Sequence, residues 1–185
     1  MKLSMLLFSG LVVLVLTGCS AVYTTQPMGE KPCKIEAQDW DGTWIHKEGS
    51  VTMKVVDGEN GLLRIAWTEP KEGSLAFESH DVELRETGSW MFASTRDDSA
   101  TEEPRCLWAC LKRDGKQVVV WLPDATKFKG LVRAQKLPGT IEEDRDVILE
   151  NLEPRHLSII AGEQEGVLFT WDEPIVFFRF AREGD

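Results

Sequence analysis

A chain of 185 residues, 42% of them hydrophobic, has the length for one domain with a substantial core. Its 21 Lys and Arg against 31 Asp and Glu leave a formal net charge of -10, which argues against nucleic acid or an anionic lipid headgroup as a partner held by charge. No Gly-x-Ser-x-Gly elbow, phosphate-binding glycine loop or dinucleotide fingerprint occurs, so none of those chemistries is signalled.

The chain opens on a processing signal. Lys2 supplies a positive start, and Leu3 to Leu16 is apolar apart from Ser4, Ser9 and Gly10. That run suits a signal peptide and falls short of the roughly 20 residues a membrane span needs. It ends in Leu16-Thr17-Gly18-Cys19, which resembles the bacterial lipobox: an aliphatic residue, two small residues, then cysteine. The resemblance implies that residues 1–18 are a signal peptide and that the Cys19 thiol takes a diacylglyceryl group. It also implies that the new amino terminus is acylated, as with palmitate. Each buried methylene contributes about 0.8 kcal/mol, so several acyl chains anchor firmly. Ser20, where an aspartate would favour inner-membrane retention, resembles the sorting pattern of outer-membrane lipoproteins facing the periplasm. An inner or sole cell membrane is the alternative address. Cleavage removes Lys2, the one charge in residues 1–18, and takes the formal charge from -10 to -11.

Residues 19–38 read as a lipidated tether. Thr24, Thr25, Gln26, Pro27, Gly29 and Pro32 punctuate Ala21 to Gln38, and no apolar period runs through it. Residues 39–185 read as a single β-rich domain. Gly42 to His46 is its first strand, followed by a turn over Lys47 to Ser50. Val51, Met53 and Val55 alternate with Thr52 and Lys54, the pattern of a half-buried strand. A turn at Asp57 to Gly61 leads to Leu63, Ile65 and Trp67, again in alternation. A turn over Glu69 to Ser74 precedes a long strand, Leu75 to Glu86, whose apolar parity shifts between Phe77 and Val82. That shift predicts a bulge near His80. Trp90 to Thr95 follows the turn at Thr87-Gly88. Arg96 to Glu103 is an acidic, solvated loop. Cys106 to Lys112 and Gln117 to Leu122 flank Asp114-Gly115, a strong hairpin signal.

The period then changes. Asp124 reads as the N-cap of a helix carrying Phe128, Leu131 and Val132, stopped by Pro138-Gly139. A second short helix starts at Pro154, carries Leu157, Ile160 and Ala161, and ends at Gly162. Glu142-Glu143-Asp144 reads as a solvated linker between the two. Val167 to Trp171 and Ile175 to Phe180 read as strands, pairing with the meander or with each other.

An antiparallel meander of this length removes its edges by closing into a barrel or a strongly curved sheet, with the helices beside it or across one end. Asp41-Gly42-Thr43-Trp44 resembles the Gly-x-Trp opening of lipocalins and lipocalin-like bacterial lipoproteins, and the up-and-down strand order is similar. The resemblance implies a mainly β, lipocalin-like barrel with minor α content. The helices placed before the last strands depart from a simple lipocalin.

Three cysteines remain beside Cys19. On a strand, Cys106, Trp108 and Cys110 share one face, and Cys106 and Cys110 stand about 13 Å apart, too far for a disulfide. Cys33 is then the candidate partner of Cys106 or Cys110, pinning the tether to the sheet. The helical alternative for Pro104 to Lys112 would bring Cys106 and Cys110 together. His46, His80 and His156 show no ligand spacing and read as surface or edge residues, so no metal, cofactor or catalytic residue is expected. Seven tryptophans are the unusual enrichment. They read as core packing, or, for Trp67, Trp90 and Trp108, as the lining of a cavity for an apolar or aromatic ligand. The expectation is a membrane-anchored, non-enzymatic periplasmic lipoprotein that binds a protein or another envelope component. A lipocalin-like carrier of a hydrophobic small molecule is the alternative, and a hydrolase with scattered residues a third reading.

Overall fold

The computed structural model describes residues 20–71, 74–97, 104–164 and 166–180. The leader, Cys19 and most of the acidic loop lie outside the described residues.

Eight antiparallel strands close into a barrel. In chain order they are β3 (Gly42–His46), β4 (Gly49–Asp57), β5 (Leu62–Lys71), β6 (Ser74–Thr87), β7 (Trp90–Asp97), β8 (Arg105–Asp114), β9 (Gln117–Trp121) and β12 (Ile175–Arg179). Each pairs with its predecessor, and β12 closes the ring between β9 and β3. Its register sets Val176 opposite Val119 and Phe178 opposite Ile45. The fold is thus mainly β with minor α, as the alternation predicts. Cys106 to Lys112 is strand, inside β8.

The turn between β4 and β5 shows how local chemistry sets the ring. Asp57 Oδ1 accepts from the backbone N–H groups of Glu59 and Asn60 at 3.1 and 3.2 Å. Gly61 then turns at φ 68°, where a Cβ would lie 2.4 Å from the Leu84 carbonyl oxygen, so only glycine fits.

Between β9 and β12 the chain makes an outer layer. This holds α2 (Ala125–Arg133), β10 (Gly139–Glu142), β11 (Asp146–Leu149) and α3 (Pro154–Ala161). Asp124 caps α2, its side chain accepting from the N–H groups of Thr126 and Lys127. Gly162 caps α3 at its C-terminus. The layer buries Phe128, Leu131, Leu157 and Ile160 against Phe92, Trp108 and Cys110 on the outside of β7 and β8. A second core lies inside the barrel, with Trp44, Met53, Leu63, Leu84, Leu111, Val118 and Phe177. Strand β8 therefore buries both faces, which explains why Cys106 to Leu111 carries no polar alternation.

Several expectations are corrected here. Ala21 to Gln38 is not a free tether. β1 (Val22–Thr24) is wholly buried, pairing antiparallel with β8 and parallel with β11. Met28 is buried, β2 (Lys31–Pro32) pairs with β6, and α1 (Ala37–Trp40) follows directly. The β5–β6 register runs unbroken through Ile65 opposite His80, so no bulge lies there. Phe77 simply faces outward and is exposed. The one shift in the neighbouring β4–β5 ladder falls between Val55 and Asp57. Glu142-Glu143-Asp144 is the β10–β11 turn, with Glu143 and Asp144 at positive φ. Val167 to Trp171 forms no strand, contributing only a single bridge from Phe169 to Pro123.

Candidate functional site

One end of the barrel is plugged. Immediately before β3, α1 lays Trp40 against Trp44, with ring centroids 6.4 Å apart. Trp44 is fully buried, and its Nε1–H donates to the Trp40 carbonyl at 2.9 Å. Asp41 Oδ1 accepts from the Val55 N–H at 2.7 Å, tying the plug to β4. Arg179, on the closing strand, donates to the carbonyls of Gln38 and Asp41 at 2.7 and 2.5 Å. Arg113 on β8 bonds Asp39 at 2.8 Å and lies over the Trp40 ring. The Asp41-Gly42-Thr43-Trp44 motif thus joins the plug to three walls of the ring, β3, β4 and β12. Asp41 and Trp44 are visible in the motif itself. Arg113 and Arg179 are not, because nothing local marks a cation whose partners lie far along the chain.

Beside the plug the barrel interior holds an apolar cavity of about 210 Å³ that opens to solvent. Val51, Met53, Leu63, Val82, Leu111 and Phe177 line it, together with Ile65, Ala93, Ala109, Val120 and Ile175. Ala93 and Ala109 face each other across β7 and β8, and their small side chains leave the space open. On the ring wall, Trp67 stacks on His80 at 5.3 Å and 15°. His46 packs on Phe177 at 5.4 Å.

The three tryptophans expected as cavity lining do not converge. Trp67 packs against the barrel core. Trp90 packs on Trp171 outside the barrel; Trp108 is among the residues that border the cavity, with its ring edge-on to Phe128 and Phe169 under the helices. The residues that do line the cavity are legible as the odd-numbered members of β4 and β5 and the even-numbered members of β6.

The cysteines also separate. Cys33, Cys106 and Cys110 are buried free thiols, correcting the expected disulfide. Cys33 donates its N–H to Leu84 on β6, and β7 lies between that strand and β8. Burial pushes the Cys33 thiol up to about 11 and the Cys110 thiol up to about 12, and raises Cys106 as well. His156 is buried rather than at the surface. It completes a capping box at the start of α3, its Nδ1 accepting from the Glu153 N–H at 3.0 Å. Among the described residues, no three His, Cys, Asp or Glu side chains group as a metal site.

Two open grooves, about 450 and 290 Å³, flank the N-terminal segment where it crosses the outside of β6 and β7. They share Pro27, Glu83 and Arg96, and the larger includes the Arg64–Asp81 ion pair. Comparison with protein families, curated proteins and solved structures finds no significant match.

Proposed function

We propose that this chain is a lipid-anchored, non-enzymatic binding protein of the cell envelope, and that its barrel holds a small apolar molecule. The observation that carries the binding reading is the apolar cavity inside a closed ring plugged at one end. A cavity of about 210 Å³ is somewhat larger than the roughly 150 Å³ apolar space that stays dry and accepts benzene. It is smaller than the roughly 300–1,000 Å³ of most ligand sites. The fit is therefore to a single aromatic ring or a short alkyl chain, not to a whole phospholipid. Leu16-Thr17-Gly18-Cys19 supports the anchor, and Ser20 supports an outer-membrane address facing the periplasm.

Thermal unfolding of the folded domain in benzene tests the site. Ligand at 100 times its Kd stabilises by about 2.7 kcal/mol, which raises Tm by several degrees. Ala109→Phe fills the space and should remove that rise while keeping the β-sheet spectrum. An unchanged Tm at saturating benzene, in both proteins, would sink the reading. Fatty-acid labelling tests the anchor: the natural chain takes label and Cys19→Ser does not.

A protein partner is a second reading, supported by an apolar strip on the outer wall. Ile45 and Phe178 stand opposite one another there, with Val176 on the same face of β12, and Ile45, Phe178 and Phe180 are exposed. A photo-crosslinker at Phe178 should give one discrete adduct in intact cells, and a crosslinker at Lys54 none.

A further inference from the structure

We infer that the lipidated protein is seated directly on the headgroup layer, with α2 and the β10–β11 turn against the membrane. This rests on the anchor at Cys19. Only Ser20 and Ala21 separate that cysteine from β1, whose three residues are all buried. Consecutive Cα atoms are 3.8 Å apart, so Ala21 lies within about 8 Å of the lipid-bearing residue. Ala21 is itself fixed. Its N–H donates to Asp146 Oδ1 at 2.9 Å, and its carbonyl accepts from Val147 at 2.9 Å. No slack remains for the domain to stand off from the bilayer.

The surface that meets the lipid is identified by Ser20. Lys129 of α2 donates to Ser20 Oγ at 3.3 Å and to the Asp144 carbonyl at 2.8 Å. An acidic chain is repelled by anionic headgroups unless the contacting face is locally basic. From Ala125 to Lys136 the chain carries Lys127, Lys129, Arg133 and Lys136 and no carboxylate. The carboxylates nearby are engaged or few: Asp124 caps α2, Asp146 holds Ala21 and pairs with Arg145, and on the β10–β11 turn Asp144 pairs with Arg133 while Glu143 is exposed. Lys127 faces solvent on the exposed side of the helix. Across the barrel, four strands from β8 in either direction, β4 presents Lys54 on the far wall.

The full lipidated chain tests this in vesicles of phosphatidylethanolamine and phosphatidylglycerol containing headgroup-spin-labelled lipid. Fluorophores are placed by Lys127→Cys or Lys54→Cys; the three native thiols are buried. Quenching should be several-fold stronger at position 127 than at position 54. A spacer of about twelve Gly and Ser residues between Ser20 and Ala21 should erase the difference while fatty-acid labelling persists, since such a linker reaches roughly 20 Å. Equal quenching at the two positions in a labelled chain overturns the seating and leaves the anchor intact. Unchanged quenching with the spacer overturns the short leash as its cause. A chain that takes no fatty acid loses the anchor and the seating together.

Discussion

Two buried indoles separate packing from hydrogen bonding. Trp44 fills the plugged end and donates to the Trp40 carbonyl, whereas the buried Trp108 Nε1 has no hydrogen-bond partner among the described residues. Phenylalanine at either position removes similar apolar area. Trp44→Phe also strips a buried carbonyl of its donor, so it should cost about 1 kcal/mol more than Trp108→Phe in urea unfolding. The thiols give a second residue-scale expectation. At pH 8 a thiol at about 12 is ionised on the order of one part in ten thousand. Cys33, Cys106 and Cys110 should therefore resist a disulfide reagent in the native protein, and all three should react once it is unfolded. Reaction of fewer than three in the unfolded, unreduced chain would mean that a disulfide exists.

Among the elements, α1 is the one held chiefly by distant side chains. It has four residues and no side-chain cap, so its own helical bonds contribute little. Arg179 and Arg113 hold it instead. Arg179→Ala should cost about 2 kcal/mol and make the amides of residues 37–41 exchange faster than the rest of the barrel. For α2 the capping bond is local, and Asp124→Ala should cost about 1 kcal/mol by thermal unfolding. This contrast also explains what the sequence discloses. Strands β3 to β9 were legible because each is long enough to show alternation and is bounded by turns such as Asp114-Gly115. The two longer helices were legible from their caps and their 3.6-residue period. By contrast, β1, β10 and β11 have three or four residues, too few to show a period, and β1 is buried by partners more than 80 residues away. The cavity is half legible: parity places the interior of β4 and β5, but on β8, apolar on both faces, it singles out Trp108 and misses Leu107, Ala109 and Leu111.

At the scale of the molecule, the ring depends on its last strand. Residues from Ile175 supply both the partner of β9 and the partner of β3. Deleting residues 175–185 should expose two strand edges, and the product should aggregate or lose cooperative unfolding instead of being mildly destabilised. The layer between β9 and β12 does not interrupt the ring, because its hairpin attaches through β11 to β1 and not to the barrel wall. It adds a second core to the first, so the barrel is covered on one side only.

The pairing of β1 with β11 sets an order of events. Ala21 bonds to Asp146, 125 residues further along. A chain that emerges from its amino end first cannot dock its own beginning until most of the remainder has appeared. Contacts so remote in sequence make folding slow. If Cys19 is lipidated as proposed, the start of the chain is fastened to the membrane before its place in the protein exists, and the domain assembles around an end that is already held.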